Sequence, residues 1–322
     1  DGAANVSAHD ERTGAQIWRA SVQPRAKRHY TAFGGGIAYA QGKLYVSSGF
    51  REVVELDAAT GRLLWRARTD APIHAAPTVV DGRVLVADVN DQLLAFDAAT
   101  GNQDWSYQAL TEPARILAAS SPAVANDTVV TAFASGELVA VRAENGNQLW
   151  DASLSRANRT NALSEIRDIP GRPVIYKNDV YAISHSNVFA ATDLRTGAAR
   201  WSLPVSGMTT PWPAGDVVFV VDQSGQAFCA AREGGDIYWL TELNAPVRGK
   251  KKEKHLTYWS SPILASNRLI TVSSKGEAVA LNPKTGAVEA RLRLGSPVRI
   301  GPIAAGDMIY VVTEQAQLIA IR

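Results

Sequence analysis

Histidine and cysteine are the side chains most often used for metal binding and nucleophilic chemistry, and this sequence has few of them. Its five histidines are dispersed, and no two have a ligand spacing such as His-x-x-x-His: His9, His29, His74, His185 and His255. The lone Cys229 excludes an internal disulfide and any cysteine-based zinc or iron–sulfur cluster. We therefore predict that the chain holds no metal site.

The sequence also lacks the glycine-rich and serine motifs of common enzyme classes. It contains no G-x-S-x-G turn, no GK[ST] phosphate loop and no G-x-G-x-x-G after a strand. The run 34–36 (Gly-Gly-Gly) precedes a predicted strand, whereas a phosphate loop precedes a helix, so we interpret it as a turn. Asp57, Asp97 and Asp193 recur at one position of a repeat, which is typical of turn formers that bond their own backbone. No catalytic residue and no cofactor is predicted.

A repeated phrase indicates the architecture that must position any functional residue. It has a polar turn, a glycine and a final tryptophan, and its clearest copies are LDAATGRLLW, FDAATGNQDW, VRAENGNQLW and TDLRTGAARW. The distance along the chain between the ends of successive copies ranges from 38 residues, between Trp201 and Trp239, to 51 residues, between Trp150 and Trp201. This period is typical of a four-stranded propeller blade and exceeds that of a leucine-rich repeat.

Residues 73–105 show how one unit is built. The short apolar runs APTVV, RVLVAD and QLLAFD are separated by the pairs Asp81-Gly82 and Asn90-Asp91 and followed by AATG and NQDW. This spacing is typical of an antiparallel meander, with the glycine of each phrase at positive φ between the third and fourth strands. We therefore predict an all-β fold, a propeller of four-stranded antiparallel blades, in which 1–322 form a single domain.

Two columns of the repeat predict how neighbouring sheets pack. The tryptophans are interpreted as plates between blades, each with its indole N–H bonded to a carbonyl. Small residues two positions before the phrase's Asp position would let sheets approach closely, and Cys229 is interpreted as one of them. This second column, with Glu55 as its exception, is Ala8, Glu55, Ala95, Ala140, Ala191, Cys229, Ala280 and Ala320.

Counting strand types predicts the number of blades. Third strands end at eight places: Asp10, Asp57, Asp97, Arg142, Asp193, Ala231, Asn282 and Arg322. Pairs of first and second strands begin at only seven, near Gly36, Pro77, Pro122, Pro173, Pro213, Pro262 and Pro302, and fourth strands also number seven. We predict an eight-bladed ring whose first and last blades are incomplete and are closed by a segment upstream of Asp1. The alternative is a seven-bladed ring in which 6–10 is an irregular lead-in and 17–20 supplies the missing fourth strand; open edges are costly, so one closure is expected.

Charge and hydropathy exclude several classes of partner. The sequence has 33 Lys and Arg against 31 Asp and Glu, and a net charge of +2 is too small for a nucleic-acid footprint. No stretch approaches the about 20 apolar residues that a membrane helix needs. The basic run Arg248–His255 has the charge to meet an acidic partner or anionic headgroups, but we interpret it as a solvated loop.

Two connections between units are longer than the repeat requires, and they are the candidate partner-binding site. Both combine apolar residues with charges: Arg115, Ile116 and Leu117 in the first loop (105–122), and Glu165, Ile166, Arg167 and Asp168 in the second (150–173). Exposed apolar residues ringed by charge suit a protein contact. Because both loops join adjacent blades, we expect them on one rim of the ring.

The D-x-x-T-G-x-x-x-W phrase resembles the repeat of quinoprotein-type (PQQ-like) propellers, a group that includes enzymes and non-enzymes. Within it the whole chain resembles the BamB family, lipoproteins of the outer-membrane β-barrel assembly (BAM) machinery. The likeness is strongest in ATDLRTGAARW, VVFVVDQSGQAFCA, SSPILASNRLITVSSKGEAVALNPKTGAVEA and PIAAGDMIYVVTEQAQLIAIR. It implies eight blades, a location at the periplasmic face of the outer membrane, and a lipidated N-terminal cysteine on a segment absent here. The only membrane contact would then be that anchor.

The resemblance also implies a partner, the periplasmic POTRA domains of BamA, met by the two long loops. The family's Leu-x-Leu-Arg stretch corresponds to residues 114–117, where Arg115 comes before the aliphatic residues Ile116 and Leu117. The family's Asp-x-Asp pair keeps Asp168 but has Pro170 in place of the second Asp. Unfolded outer-membrane proteins are a second implied partner.

Three functions are compatible with these features. The predicted one is a non-enzymatic scaffold subunit of the BAM complex. The alternatives are a PQQ-dependent quinoprotein dehydrogenase and a propeller that senses a small ligand in its central channel. Dehydrogenases of the resembling group bind calcium beside PQQ and use an adjacent Cys-Cys disulfide, which Cys229 alone cannot form.

Overall fold

The computed structural model describes residues 4–24, 34–110, 120–155, 168–244 and 257–322. Across these ranges the regular elements are 29 strands, all paired in antiparallel fashion, and no helix. The chain divides into two compact units, Asp1–Ser153 with Ile166–Pro170, and Leu154–Glu165 with Gly171–Arg322.

The first unit contains four sheets, each with its strands in chain order. The first is a two-stranded sheet and the other three have four strands each. Their bounds are β1 (Asn5–His9) and β2 (Gln16–Ser21); β3 (Gly35–Ala40), β4 (Lys43–Ser48), β5 (Glu52–Asp57) and β6 (Leu63–Arg68); β7 (Thr78–Val80), β8 (Arg83–Ala87), β9 (Gln92–Asp97) and β10 (Gln103–Gln108); β11 (Ala123–Ala125), β12 (Thr128–Ala132), β13 (Glu137–Arg142) and β14 (Gln148–Ser153).

The second unit also contains four sheets, three with four strands and a last one with three. Their bounds are β15 (Val174–Tyr176), β16 (Asp179–Ser184), β17 (Val188–Asp193) and β18 (Ala199–Leu203); β19 (Trp212–Ala214), β20 (Val217–Val221), β21 (Gln226–Ala231) and β22 (Ile237–Glu242); β23 (Ile263–Ala265), β24 (Arg268–Val272), β25 (Glu277–Leu281) and β26 (Val288–Arg293); β27 (Ile303–Ala305), β28 (Met308–Val312) and β29 (Leu318–Ile321).

The sheets confirm the predicted blades of antiparallel strands and correct their number. Seven sheets have three or four strands, which is the blade count of the alternative prediction. The remaining sheet, β1–β2, has two strands, and no other described strand pairs with β1, so the predicted eighth four-stranded blade is not observed in the described residues. The strand assignment of the alternative is wrong, since the proposed lead-in 6–10 lies largely in β1, and residues 17–20 lie in β2, which pairs with it.

The turn between the third and fourth strands is held by its aspartate, as the repeat predicts. In the sheet β7–β10, Asp97 Oδ1 accepts hydrogen bonds from the Thr100 N–H at 2.7 Å and from Thr100 Oγ1 at 2.7 Å. The same bonds occur at Asp10, Asp57 and Asp193. The phrase glycine follows at positive φ, 74° at Gly101, where residues other than glycine are strained.

The repeated tryptophan and glycine meet across neighbouring sheets. The Trp65 indole N–H donates to the carbonyl of Ala98 in the next sheet at 2.9 Å, and a Cβ added to Gly101 would lie 2.7 Å from the Trp65 ring. The pairs Trp18–Gly61, Trp105–Gly146, Trp201–Gly235 and Trp239–Gly286 repeat this contact. The predicted packing role of the tryptophans is therefore confirmed, and the glycine is required by close approach as well as by its turn.

The column of small residues lies in register with the tryptophans. Cys229 pairs with Trp239 on β22 and with Phe219 on β20. It is 2% exposed, and burial raises the pKa of its thiol to about 11. This supports its interpretation as a small core residue and not a reactive thiol.

Glu55 departs from the column because it is charged, and its neighbours compensate. It is 1% exposed and accepts hydrogen bonds from Lys43 Nζ at 2.6 Å and from Tyr45 Oη at 3.4 Å. Burial, followed by the charge of Glu55, raises the pKa of Tyr45 to about 12. A buried carboxylate is thus paired, as its desolvation cost requires.

Candidate protein-binding loops

Both long loops leave their sheets at the end that carries the turn between the second and third strands. After β10, the Ala109 N–H donates to the carbonyl of Asp91, in the β8–β9 turn, at 3.0 Å. At the end of β14, Ser153 pairs with Glu137, the first residue of β13. The two loops therefore depart from equivalent ends of consecutive sheets in one unit.

The departure point of the first loop is held by buried polar contacts. Asp91 is 4% exposed, and its Oδ1 accepts the Ala134 N–H of the next sheet at 3.1 Å. Gln108 Nε2 donates to the carbonyls of Asn90 and Ala109, both at 3.0 Å. Since these contacts join the strand end to two turns, the base of the loop is fixed in position.

Leu110 is the last described residue of the first loop before 111–119, and its side chain faces solvent. It is 68% exposed, whereas the preceding Ala109 is 7% exposed. Sequence reasoning named the apolar pair Ile116 and Leu117 but missed Leu110. Its position in the sequence could have identified it, because Leu110 follows the end of a strand directly, where an apolar side chain has no position in the core.

The second loop is fixed at both of its bases. The carbonyl of Leu154 accepts hydrogen bonds from Ser184 Oγ at 2.9 Å and from Ser186 Oγ at 3.1 Å. At the other base, a Cβ added to Gly171 would lie 2.2 Å from the carbonyl oxygen of Thr209. Only glycine is compatible with so close an approach of backbone.

Of the six predicted contact residues, the described ranges include one. Arg115, Ile116 and Leu117 lie outside them in 111–119, and Glu165 and Arg167 lie outside them in 156–167. Asp168 is described and is 2% exposed, next to Ile169 at 1%. A side chain so buried offers little surface to a partner, so the position of Asp168 suits holding the end of the loop.

Within the ranges given above, no group of three or more His, Cys, Asp or Glu residues is arranged to hold a metal ion. The pKa values of Asp10, Asp57, Asp97 and Asp193 are lowered, first by the hydrogen bond from a threonine side chain in the same turn. In the part of the chain that the structure describes, no helix is long and apolar enough to span a membrane.

Comparison with known proteins places these sheets and loops in context. The family model described as "Outer membrane protein assembly factor BamB" matches residues 2–241 and 250–322. The chain is 23% identical over 320 residues to the outer membrane protein assembly factor BamB of Moranella endobia, covering 98% of this chain and 80% of that protein. It is 24% identical to the BamB of Shewanella oneidensis, covering 98% of this chain and 79% of that protein.

Solved structures confirm the propeller fold. The crystal structure of BamB from Moraxella catarrhalis has a TM-score of 0.83 at 18% identity and covers 95% of this chain and 88% of that one. A europium-containing methanol dehydrogenase has a TM-score of 0.75 at 15% identity and covers 98% of this chain and 78% of that one. At these identities the likeness shows the fold alone.

Proposed function

Since the chain belongs to the family of the outer membrane protein assembly factor BamB, we propose that it is a non-catalytic scaffold subunit of the BAM complex. The observation that carries this proposal is the family match over residues 2–241 and 250–322, which covers nearly the whole chain. The proposed location is the periplasmic face of the outer membrane, with a lipid anchor of the kind that the resemblance implies.

The proposed partner is the POTRA region of BamA, bound by the two long loops. Exposed Leu110 and the sequence pair Ile116 and Leu117 would supply apolar anchors, and Arg115 with the loop charges Glu165 and Arg167 would orient the partner. The support for this assignment is that the loops leave equivalent ends of consecutive sheets from bases that are hydrogen-bonded to neighbouring turns. Such bases limit the ordering cost when a loop binds.

Binding to purified BamA POTRA domains tests the assignment. Leu117→Glu should weaken binding by at least about tenfold, because a charge at a buried anchor typically costs more than about 1.4 kcal/mol. The thermal unfolding temperature should stay unchanged, since the substitution lies in a connecting loop.

Leu63→Glu is the matched control. Leu63 is 45% exposed and is the first residue of β6. It therefore lies at one end of its sheet, whereas the connection to the next sheet leaves from the other end. The Leu63→Glu variant should bind the POTRA domains as tightly as the unmodified protein does. Undiminished binding by Leu117→Glu and by Leu110→Glu would show that these loops are not the contact surface.

A further inference from the structure

One outer strand, β22, differs from the other fourth strands in a way that points to a second binding surface. Every fourth strand has a β-bulge beside its tryptophan position. In the other six, the residue just before or just after that position is charged: Arg19, Arg66, Asp104, Asp151, Arg200, and Glu289 with Arg291. In β22 these two positions are Tyr238 and Leu240.

Charges at these positions protect an outer strand from pairing with another chain. At three sheets the charge at the bulge is also paired with the start of the second strand: Asp104 with Arg83 at 3.2 Å, Arg200 with Asp179 at 2.5 Å, and Glu289 with Arg268 at 3.2 Å. In the sheet β19–β22 the corresponding residues are Tyr238 and Val217. This edge therefore has neither the charge nor the ion pair.

The outward side chains of β22 form an apolar surface. Ile237 is 48% exposed, Tyr238 65% and Leu240 50%. Ile237 pairs with Ala230 and Leu240 with Phe228, so these two aliphatic residues share a face of the sheet. No described strand pairs with the outer edge of β22, because it is the last strand of its sheet.

Within the described residues 233–242, the charged side chains are all acidic. Arg232, just before them, is paired with Asp179 at 2.7 Å, and the basic run Arg248–His255 lies outside the described residues. Glu233 and Asp236 precede the strand and Glu242 ends it, and all three are exposed. None of the three forms an ion pair with a described lysine or arginine; Glu242 accepts hydrogen bonds from Gln226 Nε2 and the Asn244 N–H, both at 3.3 Å. Within the described part of the chain, the edge therefore combines backbone groups that pair with no further strand, apolar side chains, and carboxylates at both ends.

We propose that β22 binds an extended, cationic peptide segment by β-augmentation. Backbone hydrogen bonds to the free edge would supply affinity, Ile237, Tyr238 and Leu240 would contact apolar side chains of the segment, and Asp236 and Glu242 would pair with its cations. This inference goes beyond the proposed scaffold role, since it concerns an outer strand and not the loops between sheets.

Charge decides between a cationic segment and a second copy of the chain. An antiparallel pairing of two β22 strands centred on Trp239 would place Asp236 of each copy opposite Glu242 of the other. Like charges directly opposite one another destabilise a strand pair. A strand with lysine or arginine at those places converts both repulsions into attractions.

The test uses a blocked, fluorescein-labelled peptide of about eight residues that alternates valine and lysine, a usual strand length. A second peptide has glutamate in place of lysine. Fluorescence anisotropy with the unmodified protein should show binding of the lysine peptide and at least about tenfold weaker binding of the glutamate peptide. Hydrogen exchange at the β22 amides should slow only with the lysine peptide.

Variants locate the binding site. Leu240→Lys should weaken binding of the lysine peptide by about tenfold or more, whereas Leu63→Lys on β6, which already has Arg66 beside its tryptophan, should leave it unchanged. Asp236→Lys with Glu242→Lys should reverse the preference between the peptides. Equal binding of both peptides, or equal losses in Leu240→Lys and Leu63→Lys, would overturn the proposal.

Two further measurements distinguish peptide binding at β22 from a dimer contact and from binding at the long loops. If the unmodified protein sediments as a dimer that Leu240→Lys dissociates, the edge pairs with a second copy and the proposal is wrong. Leu117→Glu should keep full peptide binding. A loss of POTRA binding in Leu117→Glu therefore tests the scaffold proposal and not the proposal for β22.

Discussion

At the scale of single residues, Asp97 shows how a solvent-exposed carboxylate can be structural. Its pKa is lowered first by the hydrogen bond from the Thr100 side chain and then by the bond from the Thr100 N–H. Both bonds favour the ionised form, because a carboxylate accepts hydrogen bonds better than a neutral acid does. The same arrangement at Asp10, Asp57 and Asp193 makes it a property of the turn.

Removing the Thr100 hydroxyl should therefore raise the pKa of Asp97. In Thr100→Val we expect the carboxyl pKa to move up toward the unfolded value of about 3.9, as measured by NMR titration of its carboxyl carbon. A lowered folded pKa contributes stability above the unfolded value, and that contribution is lost as pH falls through the folded pKa. The stability difference between the unmodified protein and the variant should thus be larger at neutral pH than at a pH below the folded pKa.

Thr285→Val provides the control for this titration. Its turn has the same Thr-Gly sequence, but Asn282 replaces the aspartate and accepts the Thr285 N–H at 3.2 Å. An amide does not titrate, so the destabilisation in urea should be equal at the two pH values. A pH-dependent loss in Thr285→Val as large as that in Thr100→Val would contradict the role given to the carboxylate.

Sequence reasoning was effective for residues that repeat and weaker for those that occur once. The turn aspartates were predicted because six other copies of the turn supply the comparison. Glu55 stood out in its column, but its pairing with Lys43 and Tyr45 depends on strand register that one sequence does not reveal. The burial of Asp168 was not foreseen either, because its loop has no counterpart in the repeat.

At the scale of elements, the contact between Trp65 and Gly101 joins two sheets. The glycine has φ of 74°, and an added Cβ would meet the indole ring at 2.7 Å. Two costs therefore act on any substitution there, backbone strain and overlap with the ring. Equivalent glycines permit the two costs to be measured separately.

Gly101→Ala should lower the free energy of unfolding by about 3 kcal/mol, the sum of both costs. Gly14 has a similar φ of 71°, but an added Cβ there would meet nothing within 4 Å. Gly14→Ala should therefore cost only about 1 kcal/mol, from backbone strain. Urea denaturation measures both, and equal losses would show that the ring contact contributes nothing.

The strands themselves were largely predictable, and the bulges were not. Short Val- and Leu-rich runs between turn residues identify strands such as β8 (83–87) and β9 (92–97) because each spacing fits a hairpin. The bulge at Tyr238 exists because the register skips one residue between Trp239 and Ile237. Periodicity within one strand carries no record of which partner residue is skipped, so the unusual edge of β22 required the structure.

At the scale of the whole molecule, the strand count was predicted better than the number of blades. Each strand type has its own sequence mark, so the seven fourth strands and the two-stranded and three-stranded sheets agree with the census. Which strands close a ring depends on pairing between distant parts of the chain. The predicted number of eight blades was therefore wrong, and so was the use of residues 17–20 as a missing strand in the seven-bladed alternative. Local patterns specify elements more strongly than they specify distant pairings.

The whole fold is shared with quinoprotein dehydrogenases, so a direct test must separate scaffold from enzyme. The dehydrogenases that the repeat resembles combine calcium and PQQ with a disulfide between adjacent cysteines. This sequence has one cysteine, and Cys229 packs against Phe219 and Trp239 in the core. A ligand that binds only the folded state stabilises it by RT ln(1 + [L]/Kd), so the unfolding temperature rises with the concentration of the ligand. We therefore expect PQQ with calcium to leave the thermal unfolding temperature unchanged and to support no dye-linked alcohol oxidation.

A quinoprotein dehydrogenase depleted of its cofactor is the positive control, since it should gain both stability and turnover under the same conditions. Leu63→Glu serves as a second control for small shifts in unfolding temperature that come from handling. A rise in the unfolding temperature that grows with the PQQ concentration, or any turnover above that of the buffer, would contradict the scaffold proposal. The two readouts are independent, because a bound but inactive cofactor changes the first and not the second. Binding of PQQ without turnover would favour a propeller that senses a small ligand over a scaffold subunit.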